Sequence, residues 1–376
     1  MCLSLKIKKL KLFNYRNHKF LSVNTNKKFV FFYGSNGSGK TNILEAVSLL
    51  NSNSGFRNAK FPSIICNENT QNFKGFGVNL EISSGNEDFN VGIGLEKKSY
   101  GLRRFNKING ITKKMLIKNF IKIFWLLPSM SYLFQKQSFE RRNFFDSMIF
   151  VLDPSHKKRL KLYENLQQQR IQILKKFNLT KLNEEWLDIL EKKMSEVGMV
   201  ICEQRLNFTK SLNGFLLKNT SFPKIKIFLS GQIEASLKSL PALKIEENFS
   251  DKLKNNRQID SKIGKTQSSA IKTNFNIFNF DKNLYAENCS TGEQKVILVS
   301  ILLSFIEMLK EFNQNSIIFL LDDIFSNLDL KFTYIILEAI KKLNTQTWIT
   351  DTNREVIKKD SMIYKDTIFI NVEDKM

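Results

Sequence analysis

The chain has 376 residues, 42 % of them hydrophobic and 25 % charged, which leaves room for a large core and two lobes at about 100–200 residues per domain and excludes a minimal or disordered chain. Lys and Arg number 58 against 36 Asp and Glu, a formal charge of +22, which points to a polyanionic partner such as nucleic acid. An A/T-rich coding genome, with its plentiful Lys, Asn, Ile and Phe, accounts for part of that charge, so charge by itself does not decide the partner. The scattered Cys2, Cys66, Cys202 and Cys289 form neither a metal-ligand spacing nor a pairable framework, which fits a reducing cytoplasm. Lys interrupts the apolar pairs from Met1 to Tyr15, so no signal peptide is expected. The longest apolar run, Val296 to Leu309, carries Glu307 and falls short of the roughly 18–20 residues that span a bilayer. A soluble, cytoplasmic protein without a membrane segment is expected.

In chain order, Leu3, Leu5 and Ile7, then Leu10 and Leu12, alternate with Lys and predict one or two strands leading into Asn14-Tyr15-Arg16-Asn17. Arg16 ends a strand near the next motif and reads either as a side chain reaching a nucleotide phosphate or as a surface charge at a turn. Val23 to Lys28 reads as a polar turn and Phe29 to Tyr33 as a buried strand. Gly34-Ser35-Asn36-Gly37-Ser38-Gly39-Lys40-Thr41 follows, then the helix-like run Asn42 to Leu50. Strand, glycine-rich loop and helix in this order have a mechanism. Backbone N–H groups of the loop and helix N-terminus wrap phosphates, Lys40 reaches the β and γ oxygens, and the Thr41 hydroxyl sits on Mg²⁺. A plain Gly/Ser turn leaves the flanking strand and helix unaccounted for, so ATP or GTP binding is expected.

Asn51 to Asn58 is a polar loop holding Gly55-Phe56-Arg57. Asn79 to Phe105 alternates and is punctuated by Gly, as a hairpin or meander does. Arg103, Arg104, Lys107, Lys113 and Lys114 make a basic rim that reads as facing DNA phosphates or as a solvated face. Ile121 to Pro128 is a buried strand ended by Pro. Ser138 to Ile149 and Ser155 to Leu217 are helix-like, with Leu160, Tyr163, Leu166, Ile171 and Leu174 at three- and four-residue steps. Pro223 closes this insertion, Lys224 to Phe228 reads as a strand, and Asp251 to Ser269 as a polar, turn-rich return. Asn274 to Phe280 alternates like a strand. Cys289-Ser290-Thr291-Gly292-Glu293-Gln294-Lys295 precedes a helical run to Phe312, and Ile317 to Asp323 is an apolar strand ending in two carboxylates. Ser326-Asn327-Leu328-Asp329, a helix from about Phe332 to Leu343, and a strand at Thr347 to Thr350 complete the pattern.

A strand ending in Asp322-Asp323 suits a second nucleotide motif: the first carboxylate holds Mg²⁺ through water and the second orients or deprotonates the attacking water. Two buried like charges are costly without a cation, so a metal is expected. A pair of helix caps is the plainer reading. No Asn-Lys-x-Asp run for reading guanine stands in a suitable place.

Ser290-Thr291-Gly292-Glu293-Gln294 resembles the signature motif of ATP-binding-cassette ATPases. The resemblance implies that Ser290, Gly292 and Gln294 complete the nucleotide site of a second subunit, so that two chains sandwich two ATP molecules. Ser326 to Asp329 is then the loop crossing that interface. The long separation of Lys40 from Ser290 excludes a transporter cassette. Pro154, Pro223 and Pro241 interrupt the insertion too often for the long coiled coil of SMC proteins.

Nearly end to end, the sequence resembles the RecF family of bacterial recombination and gap-repair ATPases, which carry an SMC-type head. The shared residues are Asn14-Tyr15-Arg16-Asn17, the phosphate loop, Gly55-Phe56-Arg57, Trp125-Leu126-x-Pro128-x-Met130, and Ser138-x2-Arg141-Arg142-x-Phe144-Phe145-Asp146. Tyr163, Gln169-Arg170, Trp186, Gly198, Arg205, the signature and Leu321-Asp322-Asp323 continue the match. Gln135 to Gln137 replaces a Gly-Pro before the double Arg, and Thr266 to Thr273 does not carry the Gly-Pro-His-Arg-x-Asp element expected before the signature. Thr350-Asp351-Thr352 stands where most cassette ATPases keep a His. Slow hydrolysis is the expectation.

The fold expected is α/β, an ABC/SMC-type P-loop ATPase head over 1–127 and 260–376 with a compact helical arm over 128–259. Asp323, Lys40 and Asp322 are the candidate catalytic residues. Gly34 to Asn42, Arg16, Ser290, Gly292 and Gln294 are candidates for ATP, and Thr41 and Asp322 for Mg²⁺. The resemblance implies a DNA-stimulated slow ATPase that binds duplex and gapped DNA as an ATP-dependent homodimer, with RecR and RecO as partners in loading RecA. Alternatives are another SMC-like ATPase, and an ATP-gated DNA clamp with negligible hydrolysis. Arg141, Arg142, Arg170 and Arg205 read as internal ion pairs of the arm and are not counted as binding residues.

Overall fold

A computed structural model describes residues 5–51, 54–66, 75–85, 87–99, 101–112, 121–175, 181–237, 239–312, 316–326, 328–359 and 361–375. The chain divides into two compact units, Met1–Ser131 with Leu309–Met376, and Tyr132–Met308. Lys113, Lys114, Asn327 and Cys2 lie outside the described residues.

The first unit begins with β1 (Leu5–Tyr15), β2 (His18–Asn24), β3 (Phe29–Tyr33), α1 (Lys40–Ser48), β4 (Gly75–Ser84), β5 (Glu87–Lys98), β6 (Gly101–Ile108), β7 (Ile111–Thr112) and β8 (Lys122–Leu126). The second holds α2 (Ser138–Leu152), α3 (Ser155–Leu174), α4 (Lys181–Lys218), β9 (Ile225–Ser230), α5 (Gln232–Ser236), α6 (Ala242–Asn255), α7 (Arg257–Ile263), β10 (Asn274–Asn279), β11 (Leu284–Tyr285) and most of α8 (Thr291–Glu311). The first unit ends with β12 (Ile317–Asp322), α9 (Leu330–Leu343), β13 (Gln346–Asp351), α10 (Met362–Lys365) and β14 (Thr367–Asn371).

A parallel sheet in the order β14-β3-β13-β12-β8 carries the first unit. Every residue of β12 and β13 is buried, as are Phe29 to Phe32 of β3, the composition a parallel sheet covered on both faces demands. Pairing sets Asp322 opposite Thr350 and Asp351 opposite Tyr33. The carboxyl ends of β3, β12 and β13 therefore lie side by side, where open α/β sheets place their ligands.

An antiparallel sheet in the order β2-β1-β4-β5-β6-β7 completes this unit. Leu10, Leu12, Leu21, Val78, Leu80, Val91 and Ile93 fill its inner face, and the alternate positions turn outward. Gln346 joins its first strand to the parallel sheet: the Ile7 N–H donates to Oε1 at 2.8 Å, and Nε2 donates to the carbonyls of Ile7 and Thr25 at 2.9 and 2.6 Å.

In the second unit α3, α4 and α6 close on Tyr163, Met194, Ile201, Cys202, Ile245, Phe249 and Leu253. Much of the stretch expected as a turn-rich return is helical, in α6 and α7. Ile245, Phe249 and Leu253 recur every fourth residue and bury one stripe, a period that the surrounding polar residues mask. The residues read as a turn from Val23 likewise begin inside β2, which ends at Asn24.

Segment 266–274, without a legible motif, is held tightly. The Ala270 N–H donates to the Tyr163 hydroxyl at 3.0 Å, and Arg205 donates to the Ala270 carbonyl at 3.1 Å and the Thr273 hydroxyl at 2.9 Å. A Cβ on Gly198 would stand 2.8 Å from Ala270 Cβ, so the glycine permits this approach. Because β10 also pairs with β9 along its length, the segment from 260 to Met308 groups with the helical unit, where the sequence suggested a boundary at 259/260.

Candidate nucleotide site

The loop after β3 has the conformation its glycines allow. Gly37 and Gly39 adopt φ of 87° and 93°, a region open to Gly at no steric cost. A Cβ on Gly39 would lie 2.5 Å from Asn17 Nδ2 and 2.6 Å from His18 Nε2. The turn between β1 and β2 thus packs directly on the loop, and His18 Nε2 lies 3.3 Å from the Gly39 carbonyl. Burial pulls the His18 imidazole below its ordinary pKa. Lys40 folds over the loop and donates to the carbonyls of Gly34 and Ser35 at 2.8 and 2.7 Å. The Ser35 N–H donates to Glu373 Oε1 at 2.7 Å. Ser38 Oγ is buried and has no hydrogen-bond partner.

Beside the loop, Asp322 Oδ1 accepts from the Thr41 hydroxyl at 2.9 Å and from the Thr350 hydroxyl at 2.7 Å. Burial pushes the Asp322 carboxyl above the usual range, against the pull of those two hydroxyls. Asp323 follows at φ 46°, a left-handed conformation that Asp tolerates better than most residues and that gathers at functional sites. Its N–H is held by the Thr350 carbonyl and hydroxyl, both at 3.1 Å. Asp351 is 3 % exposed, and its Oδ2 is buried without a hydrogen-bond partner. Burial raises its pKa, and Asp323 adds to the effect. Among the described residues no Lys or Arg forms an ion pair with Asp322, Asp323 or Asp351.

The donor set fits Mg²⁺. The Thr41 hydroxyl and the Asp322 carboxylate stand within hydrogen-bond distance of each other at 2.9 Å, where the hydroxyl would meet the ion and the carboxylate would reach it through water. One carboxylate and one hydroxyl are what Mg²⁺ takes from a protein when it keeps waters and substrate phosphates.

Several candidates stand elsewhere. Arg16 grips the fully buried Glu45 with two nitrogens, Nε at 2.9 Å and Nη2 at 2.7 Å. The Arg57 guanidinium donates to Asn42 Oδ1 at 2.7 Å and Asn42 Nδ2 donates to Asn17 Oδ1 at 2.8 Å, so these side chains brace the start of α1. Ser290 and Glu293 form a capping box at the N-terminus of α8: the Ser290 N–H donates to Glu293 Oε2 at 2.9 Å and the Glu293 N–H to Ser290 Oγ at 3.3 Å. Gln294 is fully buried and donates inward to the Cys289 carbonyl at 2.8 Å. Asp351, Thr350, His18, Glu45 and Glu373 were not among the candidates. Of these only Thr350 and Asp351 left a trace in the sequence, within the Thr350-Asp351-Thr352 segment that stands where a His is usual.

The RecF/RecN/SMC N terminal domain family model matches residues 6–371. The DNA replication and repair protein RecF of Mesorhizobium japonicum is 32 % identical over 353 residues, covering 92 % of this chain and 91 % of that one. The chain belongs to the RecF family. RecF of Rickettsia massiliae is also 32 % identical, over 93 % of this chain and 95 % of its own. Two solved structures of the recombination mediator protein RecF in the RecFOR pathway, RecF-ATPrS and RecF-ATP, give TM-scores of 0.75 and 0.73 at 23 % and 24 % identity. They cover 98 % and 95 % of this chain, and it covers 97 % and 96 % of them. The Smc head domain of Pyrococcus furiosus gives 0.57 at 16 % identity, over 99 % of this chain and 95 % of that one. These likenesses establish the RecF fold, an SMC-type ATPase head. Among the described residues no helix is long and apolar enough to cross a membrane, and Cys66, Cys202 and Cys289 are free and buried.

Proposed function

We propose that this RecF-family chain binds ATP with Mg²⁺ at Gly34 to Asn42, dimerises through bound nucleotide, and holds duplex and gapped DNA during recombinational repair and replication restart in the cytoplasm. The observation that carries the reading is the Thr41–Asp322–Thr350 cluster beside the phosphate loop, with no cationic side chain paired to its carboxylate among the described residues.

Lys40 exchanges two loop carbonyls for phosphate oxygens, a charge-assisted pairing that is stronger than the contacts it leaves. Loop N–H groups and the N-terminus of α1 bind the phosphates. Thr41 and Asp322 would hold Mg²⁺, which when bound would offset phosphate charge. Asp323, its backbone fixed on Thr350, orients the attacking water. Arg16 joins the phosphates only by releasing Glu45, so its part is conditional on nucleotide. The capped N-terminus of α8, with Ser290 and Gly292, offers amide donors to the γ-phosphate bound by a second copy. Gln294 supports that turn from inside. Following its relatives in the RecFOR pathway, the dimer works with RecR and RecO to place RecA at single-strand gaps.

A second reading, a clamp that uses ATP as dimer glue with negligible hydrolysis, is favoured by Asp351: an anionic group at this position repels a γ-phosphate. One experiment addresses both. Binding to gapped duplex is measured across a salt series with ATP, ADP or no nucleotide, together with oligomeric state and turnover, for the wild type and Lys40→Met. ATP-dependent dimerisation and salt-sensitive DNA binding, both lost in Lys40→Met with the fold intact, support the proposal. DNA binding indifferent to nucleotide sinks it. Full clamping with no DNA-stimulated turnover selects the second reading.

A further inference from the structure

The outer face of the antiparallel sheet carries a pattern that the nucleotide site does not use. Register sets Phe20 opposite Phe13, Phe13 opposite Gly77, Gly77 opposite Gly94, and Gly94 opposite Phe105. The neighbouring row is Ser22, Lys11, Asn79, Gly92 and Lys107. Phe13 and Phe20 thus stand on one side of Gly77, and the Phe105 ring lies over Gly94 on the other. The rings of Phe13 and Phe20 are 49 % and 62 % exposed. A Cβ on Gly77 would meet nothing within 4 Å, whereas one on Gly94 would stand 2.7 Å from the Phe105 ring, so the glycine floor is open at Gly77 and covered by Phe105 at Gly94. Lys107 Nζ stands 5.3 Å from the Phe105 ring centre, and Lys11 projects from the row beside Phe13.

We propose that this face is a binding site for an unpaired nucleic-acid strand, with bases stacked on Phe13 and Phe20 and phosphates on Lys11 and Lys107. Single isolated exposed rings need no explanation, but two placed directly across a strand pair beside lysines make the stacking-platform-plus-cation arrangement that holds single strands. Duplex hides the flat faces of its bases and offers this surface only phosphates, leaving the rings wet. An apolar protein surface would strip water from the lysines without pairing them. The inference rests on the DNA-binding reading above and deepens it: the same chain would hold both the duplex and the bared strand of a gap.

The test uses the full chain, labelled oligo-dT and a duplex of equal length, with the variants Phe13→Ala/Phe20→Ala, Phe13→Tyr/Phe20→Tyr and Lys11→Ala/Lys107→Ala. The alanine pair is expected to weaken oligo-dT binding about tenfold or more, with duplex binding changed less than about twofold, and the tyrosine pair to retain it. The lysine pair lowers the salt slope for oligo-dT by about 1.4. Circular dichroism and ATP binding check that each variant is folded. Unchanged oligo-dT binding in the folded alanine pair, with duplex binding intact, overturns this inference alone. So does a changed sedimentation coefficient in that pair, which marks the face as an interface between copies. A wild-type chain that binds neither nucleic acid in any nucleotide state overturns the proposed function and this inference together.

Discussion

In the helical unit Arg170 is fully buried, yet it meets Glu191 at 2.8 Å and Asp260 at 2.7 Å, while Arg205 holds Asp146 with two nitrogens at 3.0 and 2.7 Å. At the carboxyl ends of β12 and β13, Asp322 and Asp351 are about as deeply buried but meet hydroxyls and backbone amides. Both regions carry charge out of water, but the arm pairs it directly, whereas Arg57 and Lys40 act on Asp322 and Asp351 only through space. Burial would push the Asp146 carboxyl up, but the hydrogen bonds of His156 and Arg205 take it below its usual value. Burial does raise Asp322 and Asp351. Charges that are satisfied internally hold an arm together, and charges left for a cation mark a site.

Removing one partner from each region separates the two roles. The largest expected effect on stability is Arg205→Met, which leaves Asp146 with His156 as its remaining partner and costs about 3 kcal/mol; a urea titration followed by far-UV circular dichroism measures it. A loss under about 1 kcal/mol would mean that Asp146 finds water, and the contrast would fail. Asp322→Asn is expected to leave the urea midpoint unchanged or raised, while ATP turnover falls on the order of 100-fold. Asp323→Asn should abolish turnover to a similar degree yet keep ATP-dependent dimerisation, because its carboxylate acts on water and the Thr41–Asp322 pair remains. An Asp323→Asn chain that hydrolyses normally would shift the base role to another group.

Much of this division was legible in the sequence. Phe29 to Tyr33 followed by Gly34 to Thr41, and Ile317 to Asp322, are apolar runs with strong terminators, so the strands and the ligand-bearing ends follow from pattern alone. The reading of Arg141, Arg142, Arg170 and Arg205 as internal ion pairs of the arm holds for Arg170 and Arg205, whereas Arg141 donates mainly to the carbonyls of Phe134 and Lys136, and Arg142 to the Ser138 hydroxyl and the Thr273 carbonyl. What escaped is what pairing and register create. Thr350 reaches Asp322 only because β13 lies beside β12, and His18 touches Gly39 only because the turn after β1 folds over the loop. Both contacts join residues far apart or across a turn, where no local period marks them. Ser290 and Glu293 stand at capping-box spacing, which the reading of the segment as a signature motif passed over. The burial of Gln294 was not legible, because sequence does not tell an inward from an outward residue in the first turn of a helix.

The smallest predicted effect is also the sharpest in sign. Asp351 has a raised pKa, from burial first and then from Asp323, so between the ordinary carboxylate value and the raised one the folded chain keeps a proton that the unfolded chain has released. Stability therefore falls as pH rises through that window, and above it the full penalty of an ionised buried carboxylate remains. Asp351→Asn removes the penalty and should stabilise the nucleotide-free chain at pH 7–8, a gain on the order of 1 °C in Tm for a chain of 376 residues. The gain should shrink as pH falls through the window and vanish only below about pH 3, where Asp351 is protonated in either state. For Asp146 the pKa is lowered and the sign reverses: its pairing contributes above the ordinary carboxylate value and is lost as pH falls through the lowered one. Thermal scans from about pH 2.5 to 8 on Asp351→Asn and Asp146→Asn compare the two. If both variants lose stability at neutral pH, Asp351 is a structural charge like Asp146, and the proposed repulsion of a γ-phosphate goes with it.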